Sequence, residues 1–318
     1  MSTIWITWEI QRRNRSLARS VGATLHELTY RGNALARYLV LGIRTLRIIR
    51  RDKPEVVFFQ NPSIVLAFLI ATLRFFRIVR ARTVGDFHNG GVFPPVGGFL
   101  IPWIVRNTSL VILSNRNLES AITVHGGRCI SIPDPLPHIE PAAIARADDR
   151  FDVLFICSWA ADEPIVEVLR AAQILEKKDP GVRVGITGRP KLAKVGWNDP
   201  VPRNVELTGF LAEADFDRRL ASADAILDLT TRADCMVCGA YEAVSAGVPS
   251  VLSDNEPTRA YFTKGVLFTD NTAADIADRL LEIKGSHERL KSEVTELKAD
   301  LLAQEEQALQ KLKALVFA

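Results

Sequence analysis

Residues Arg232–Asn255 read RADCMVCGAYEAVSAGVPSVLSDN. The spacing predicts a helix over Gly239–Ala246, a small-residue turn through Ala246, Gly247, Val248 and Pro249, and a short apolar strand over PSVLSD. Two carboxylates, Asp234 and Glu242, stand eight residues apart around the helix start. A loop, a helix and a buried strand in this order form the repeating unit of a parallel α/β sheet.

The same alternation runs outward in both directions. Toward the N-terminus, FDVLFICSW, VRVGITG, NVELTGF and DAILDLTT read as strands, with helices over Pro164–Lys178 and Ala214–Ala223; beyond the opening stretch come GVLFTD and a helix over Ala273–Ile283. In the first part, IWITW (Ile4–Trp8), TLHEL, EVVFFQN, TVGDF (Thr83–Phe87), SLVILSN and CISIPD read as strands. Helices are expected from Gln11, over Asn33–Arg51 and over Pro62–Val79. PDPLPHIEPAAIARADD holds four prolines between positions 133 and 141, which block both helix and sheet. The expected division is therefore a first domain over 1–134, a linker over 135–150, a second domain over 151–285 and a C-terminal helix over 286–318. In that helix Leu290, Val294, Leu297 and Leu301 form too short a seam for a coiled coil, so packing across one of the domains is expected. The fold class is α/β: two doubly wound, Rossmann-like domains facing a cleft, with ligands at the carboxyl ends of the strands.

Charge separates the two halves. Residues 1–134 carry 18 Lys and Arg against 7 Asp and Glu, and Lys53 is the only Lys among them; the rest of the 318-residue chain carries 22 against 30. A basic half points to an anionic partner. No helix-turn-helix, RRM or zinc pattern accompanies it, so nucleic acid is not the expected partner. Cys129 and Cys157 stand alone, and Cys235 and Cys238 form one C-x-x-C with no nearby His to complete a zinc set. No metal site is expected, and the usage fits a reducing cytosol. The N-terminus meets Glu9, Arg12 and Arg13 early and does not read as a signal peptide. The apolar run Ile64–Leu73 is about half the roughly 20 residues of a membrane span.

The second half resembles the donor domain of GT-B glycosyltransferases, above all the retaining family 4 enzymes. The resemblance rests on Asp234, the seven residues CMVCGAY, Glu242-Ala243 and AGVPSVLSD, preceded in order by NVELTGFLAEADFDRRLASADAILDLTTRAD. It covers roughly residues 150–285; the first half resembles the family in architecture only. It implies a metal-independent, hexosyltransferase-like transfer with no cofactor, the nucleotide sugar being a substrate. It implies that Glu242 accepts the ribose hydroxyls, that Asp234 meets the donor sugar, and that backbone N–H groups near Cys238, Gly239 and Ala240 hold a diphosphate at the helix start. The sequence departs from the family pattern: Asp234, Cys235 and Val237 stand where Glu, Gly and Gly are usual, and CSWAADEPIVEV lacks the basic residues that meet the diphosphate. Arg189, Lys191 or Arg232 are candidates for that task, as are Arg12, Arg13 or Arg15 from the first half. Sugar-nucleotide epimerases share the fold, and a non-catalytic protein binding anionic surfaces or nucleic acid is the alternative from another class.

In the first half, GDFHNGG (Gly85–Gly91) ends a strand, placing Asp86 and His88 at its carboxyl edge. Asp86 reads as a general base of an inverting reaction or as a cap, and His88 as a donor-sugar contact or a partly exposed turn residue. WEIQRRNRS sets Glu9 beside Arg12, Arg13 and Arg15. Basic residues at a helix start oppose its dipole, so a bound anion is expected there. Arg37, Arg44, Arg47 and Arg51 share one helical face, and Arg74 and Arg77 flank Phe75 and Phe76. Arginine with aromatics suits an anionic membrane surface. The expected acceptor is a lipid-linked glycan or glycolipid of bacterial polysaccharide (exopolysaccharide) synthesis, with the protein peripheral at the cytoplasmic face of the membrane.

Overall fold

The computed structural model describes residues 2–61, 63–94, 96–139, 150–233 and 235–317. The chain forms two compact units, one of Met1–Pro135 with Ala303–Ala318, the other of Leu136–Leu302. The proline-rich segment meets the division at Pro135, and its residues 140–149 lie outside the described residues.

The first unit runs β1 (Thr3–Thr7), α1 (Arg12–Ser20), β2 (Thr24–Glu27), α2 (Ala34–Asp52), β3 (Val56–Asn61), α3 (Ile64–Phe75), β4 (Arg82–Phe87), α4 (Asn89–Val92), α5 (Ile101–Arg106), β5 (Leu110–Leu113), α6 (Glu119–Thr123) and β6 (Cys129–Ser131). Its six strands are all parallel, in the order β2-β1-β3-β4-β5-β6. Side chains alternate between two cores. Ile4, Ile6, Val57, Phe59, Val111 and Leu113 enter one. Trp5, Val56, Phe58, Leu110 and Ile112 enter the other. Both faces are covered, so the strands read as unbroken apolar runs rather than as alternation. Helix α3 stops at Phe75, short of the expected Val79, because Arg77 takes a left-handed φ of 57° and turns the chain toward β4.

The second unit runs β7 (Phe151–Phe155), α7 (Ile165–Lys178), β8 (Val182–Thr187), β9 (Val205–Gly209), α8 (Glu213–Ala221), β10 (Ala225–Asp228), α9 (Cys238–Ala246), β11 (Ser250–Ser253), α10 (Glu256–Tyr261), β12 (Val266–Thr269), α11 (Ala273–Gly285) and α12 (His287–Phe317). Its sheet is also parallel, in the order β12-β11-β10-β7-β8-β9. The strand order reverses between β7 and β10, as it does between β1 and β3 in the first unit. At such a switch point the two crossovers leave on opposite faces and open a crevice at the carboxyl ends.

The long C-terminal helix corrects the expectation of packing on one domain. Leu290, Leu297 and Leu301 join cores of the second unit, whereas Leu312 and Val316 join a core of the first. The apolar stripe visible at Leu290–Leu301 resumes at Leu312, about three turns later, and α12 supplies both units. At Gly265 φ is +67°, and an added Cβ would stand 2.6 Å from the Val294 nitrogen and 2.7 Å from the Leu290 oxygen. Gly265→Ala should therefore push α12 from the second sheet and cost about 1–3 kcal/mol, read by chemical denaturation; an unchanged midpoint would show the contact to be slack.

Candidate functional site

In the first unit the switch point is polar and closed in on itself. Thr7 ends β1, Gln60 and Asn61 end β3, and Asp86 lies near the end of β4. The Thr7 hydroxyl meets Gln60 Oε1, and the Asn14 amide donates to Thr7 Oγ1 at 3.2 Å. Gln60 in turn donates to Gln11, and Gln11 donates to Glu9 Oε2 at 3.2 Å. Asn61 donates to the Gly91 carbonyl at 3.1 Å. A Cβ at Gly91 would lie 1.8 Å from the Asn61 oxygen, which is why HNGG needs glycine there.

Arg13 is the centre of this end. Its Nη2 donates to Asp86 Oδ1 and to the Ile132 carbonyl, each at 2.9 Å, its Nε to Asp86 Oδ2 at 3.1 Å, and its Nη1 to Asp134 Oδ1 at 2.8 Å. Burial alone would lower the Arg13 pKa, but Asp86 and Asp134 outweigh it and keep the guanidinium charged. Burial would likewise raise Asp86, yet Arg13 and then His88 hold this fully buried carboxyl well below the usual carboxylate range. His88 Nε2 stands 3.5 Å from Asp86 Oδ2, an ion-pair contact when the ring is protonated. The side-chain oxygens of Asn14 and Asn61 are buried and accept no hydrogen bond among the described residues.

The expected roles change accordingly. The anion predicted beside the basic helix start is the chain's own Asp86 and Asp134, so Arg13 has no face left for a phosphate. Asp86 is a poor proton acceptor, because Arg13 stabilises its ionised form. Glu9 is half-buried beside the Gln11 amide, Arg15 pairs with Glu27 at 2.9 Å, and Arg12 begins α1 with its side chain outside what the structure describes.

The second unit's switch point is built from carboxylates. Asp228 ends β10, and its Oδ2 accepts the Gly239 N–H at 2.7 Å. Ala240 N–H reaches back to the Val237 carbonyl at 3.3 Å. The helix start expected to offer free donors is thus partly occupied from within. Burial pushes Asp228 well above the usual carboxylate range; the Gly239 bond opposes this only in part, and the charges of Glu242 and Glu163 add to it. Glu163 folds onto the loop after β7, accepting from Ser158 N–H at 2.9 Å, Ala160 N–H at 2.7 Å and the Ser158 hydroxyl at 2.9 Å. Glu242 is half-buried on α9, close enough for its charge to act on Asp228. Cys238 is exposed and Gly239 buried. Asp234 lies outside the described residues. Arg232 pairs with Asp162 at 3.0 Å, and Arg189 lies over the exposed Phe210 ring at 5.8 Å. Among the described residues no three His, Cys, Asp or Glu side chains converge as a metal set.

Asp228, Glu163, Gln60, Asn61, Asn14 and Asp134 were absent from the sequence reading. A shared signal exists for three of them: Gln60-Asn61 closes EVVFF and Asp228 closes DAIL, polar residues at the ends of otherwise apolar strands.

Two parallel doubly wound units with this strand order define the GT-B fold of glycosyltransferases. Residues 139–295, almost all of the second unit, match the model of the family described as glycosyl transferases group 1. Solved structures of similar fold span nearly the whole chain. HepE of Anabaena, solved in complex with UDP and glucose, is 13% identical over 98% of this chain and 100% of its own, with a TM-score of 0.69. Sucrose-phosphate synthase from Thermosynechococcus elongatus is 12% identical over 99% and 98%, with a TM-score of 0.72. TarM is 18% identical over 89% of this chain and 59% of its own, with a TM-score of 0.63. No curated protein sequence matches the chain.

Because the folded pKa of Asp228 exceeds the unfolded value of about 3.9, its contribution is full below that pH and is lost as pH rises toward the folded value. Asp228→Asn keeps an acceptor for Gly239 N–H and cannot ionise. The variant should be more stable than the parent at pH 7 and equal to it near pH 4; thermal unfolding across that range reads the difference, and parallel profiles would show that Asp228 does not titrate upward.

Proposed function

We propose that the chain is a glycosyltransferase that moves a sugar from a nucleotide-sugar donor, bound by the second unit, to an acceptor at an anionic membrane surface. The observation that carries the donor reading is Glu242: it lies on the helix after β10, at the switch point of a unit that matches the glycosyl transferases group 1 model. A carboxylate there accepts both ribose hydroxyls in charge-assisted bonds. The complex of HepE with UDP and glucose names the donor class to try first. In this reading the transfer is metal-independent, Asp234 meets the donor sugar, and Arg232 or Arg189 supplies charge to the diphosphate.

The outcome we favour is retention, as in the family 4 enzymes. An inverting reaction requires a general base, and Arg13 and His88 hold the first unit's Asp86 well below the usual carboxylate range, which makes it a weak one. His88 is instead the donor-sugar contact, held in place by Asp86. Glu242→Ala should weaken UDP-glucose binding about ten- to hundred-fold in isothermal titration; unchanged affinity would remove Glu242 from the site.

The acceptor reading rests on the first unit's surface. Leu35, Leu39 and Ile43 follow one another at four-residue steps along α2 and are exposed, as are Phe75, Phe76, Phe93 and Phe99. Arg44, Arg47, Arg51 and Arg77 are exposed on the same unit, whereas Arg74 is partly buried. Apolar side chains interleaved with arginine suit the interface of an anionic bilayer. Among the described residues no helix is long and apolar enough to cross a membrane. In this reading the contact is peripheral, at the cytoplasmic face. The acceptor would then be a lipid-linked glycan or glycolipid. Leu35→Ser with Leu39→Ser should reduce flotation with phosphatidylglycerol vesicles without changing the unfolding midpoint; full flotation of the double variant would sink this face.

A further inference from the structure

The other end of the first unit's sheet, where its strands begin, carries a second feature. Because the sheet is parallel, Glu55, Arg82, Ser109 and Arg128 stand side by side at the entrances of β3, β4, β5 and β6. The helices that precede these strands end here, and their carbonyls favour cations. The cations present exceed that need. Arg74, Arg82 and Ser109 line two adjoining cavities of about 360 and 460 Å³, which Arg80 and Arg128 respectively complete, with the last turn of α12 as a wall. Burial, then the charge of Arg82, lowers the pKa of Arg74, so two guanidiniums press on one another.

Arg82 donates to the Leu315 carbonyl at 3.2 Å and to that of Val316, and Arg74 donates to Ala81 O at 3.3 Å and to the Ser109 hydroxyl. These partners are neutral. None of the four arginines forms an ion pair with a carboxylate among the described residues, Glu55 included. Glu55 lines the first cavity and leaves the arginines in excess there; like charges gathered in a concave, partly buried place are stabilised by an anion.

We propose that this pocket is a phosphate-group site, in which Arg74, Arg80, Arg82 and Arg128 with the Ser109 hydroxyl bind a phosphomonoester or a diphosphate. Guanidinium forks match the oxygens of such a group two at a time. The site is distinct from the donor reading, being on the other unit, and from the Asp86–His88 end, being at the opposite edge of the sheet. The phosphate would come either from a lipid headgroup or from a free phosphorylated compound.

Arg80→Gln with Arg128→Gln removes two guanidiniums that hold no hydrogen bond among the described residues, so folding should be kept. Inorganic pyrophosphate is titrated calorimetrically, and flotation is measured with phosphatidylcholine vesicles with and without phosphatidic acid. The double variant should lose pyrophosphate affinity about tenfold or more. Loss of phosphatidic acid-dependent flotation in the same variant assigns the site to a headgroup; pyrophosphate binding alone assigns it to a free phosphate. UDP-glucose affinity should be the same in parent and variant, which separates this site from the donor site. No binding of either probe by the parent, or equal binding by the variant, overturns the proposal.

Discussion

A buried guanidinium organises the first unit. Arg13 joins the start of α1 to the end of β4 through Asp86, and to the segment after β6 through Asp134 and the Ile132 carbonyl. Removing one partner from such a group leaves a charge with no solvent, a loss of about 3–5 kcal/mol, whereas replacing the whole cluster with apolar groups need not destabilise at all. The gain from keeping it is therefore geometric. It fixes where α1 starts, holds His88 beside a carboxylate, and makes Asp86 a poor proton acceptor.

The two switch points are chemically opposite. The first sets one guanidinium against two carboxylates, with amides closing the rest. The second gathers Asp228, Glu163 and Glu242 and satisfies two of these carboxylates with backbone N–H groups instead of cations. The loop after β7 and the start of α9 thus present donors already turned inward. A ligand with its own negative charge must compete with those side chains, whereas a hydroxyl-rich ligand can use them as acceptors.

Much of the fold was legible because parallel strands covered on both faces leave continuous apolar runs, as in EVVFF and LVIL, and because Asn33 and Gly247 mark helix ends. The placement of Glu242 on a helix after an apolar strand followed from the same pattern. What escaped was long-range polar pairing. Arg13 and Asp86 are 73 positions apart, and no local spacing distinguishes them from the solvated charges around them. The Asp228–Gly239 bond spans only 11 positions, yet it depends on how the chain turns between a strand and a helix, where sequence periodicity has ended. Arg74 reads as a surface cation because it stands with Arg77, Phe75 and Phe76 after an apolar run; its own side chain turns toward the strand entrances.

The divided loyalty of α12 has a consequence for synthesis. The first unit's core includes Leu312 and Val316, which follow every residue of the second unit in the chain. As the polypeptide leaves the ribosome in order, the strands of the first unit emerge early but one of their faces lacks part of its cover until the last turns of α12 arrive. The second unit, whose residues are contiguous, can close before the first is complete. The earlier-made sheet would then wait with Trp5, Val56 and Phe58 incompletely covered, a state in which chaperone holding matters most.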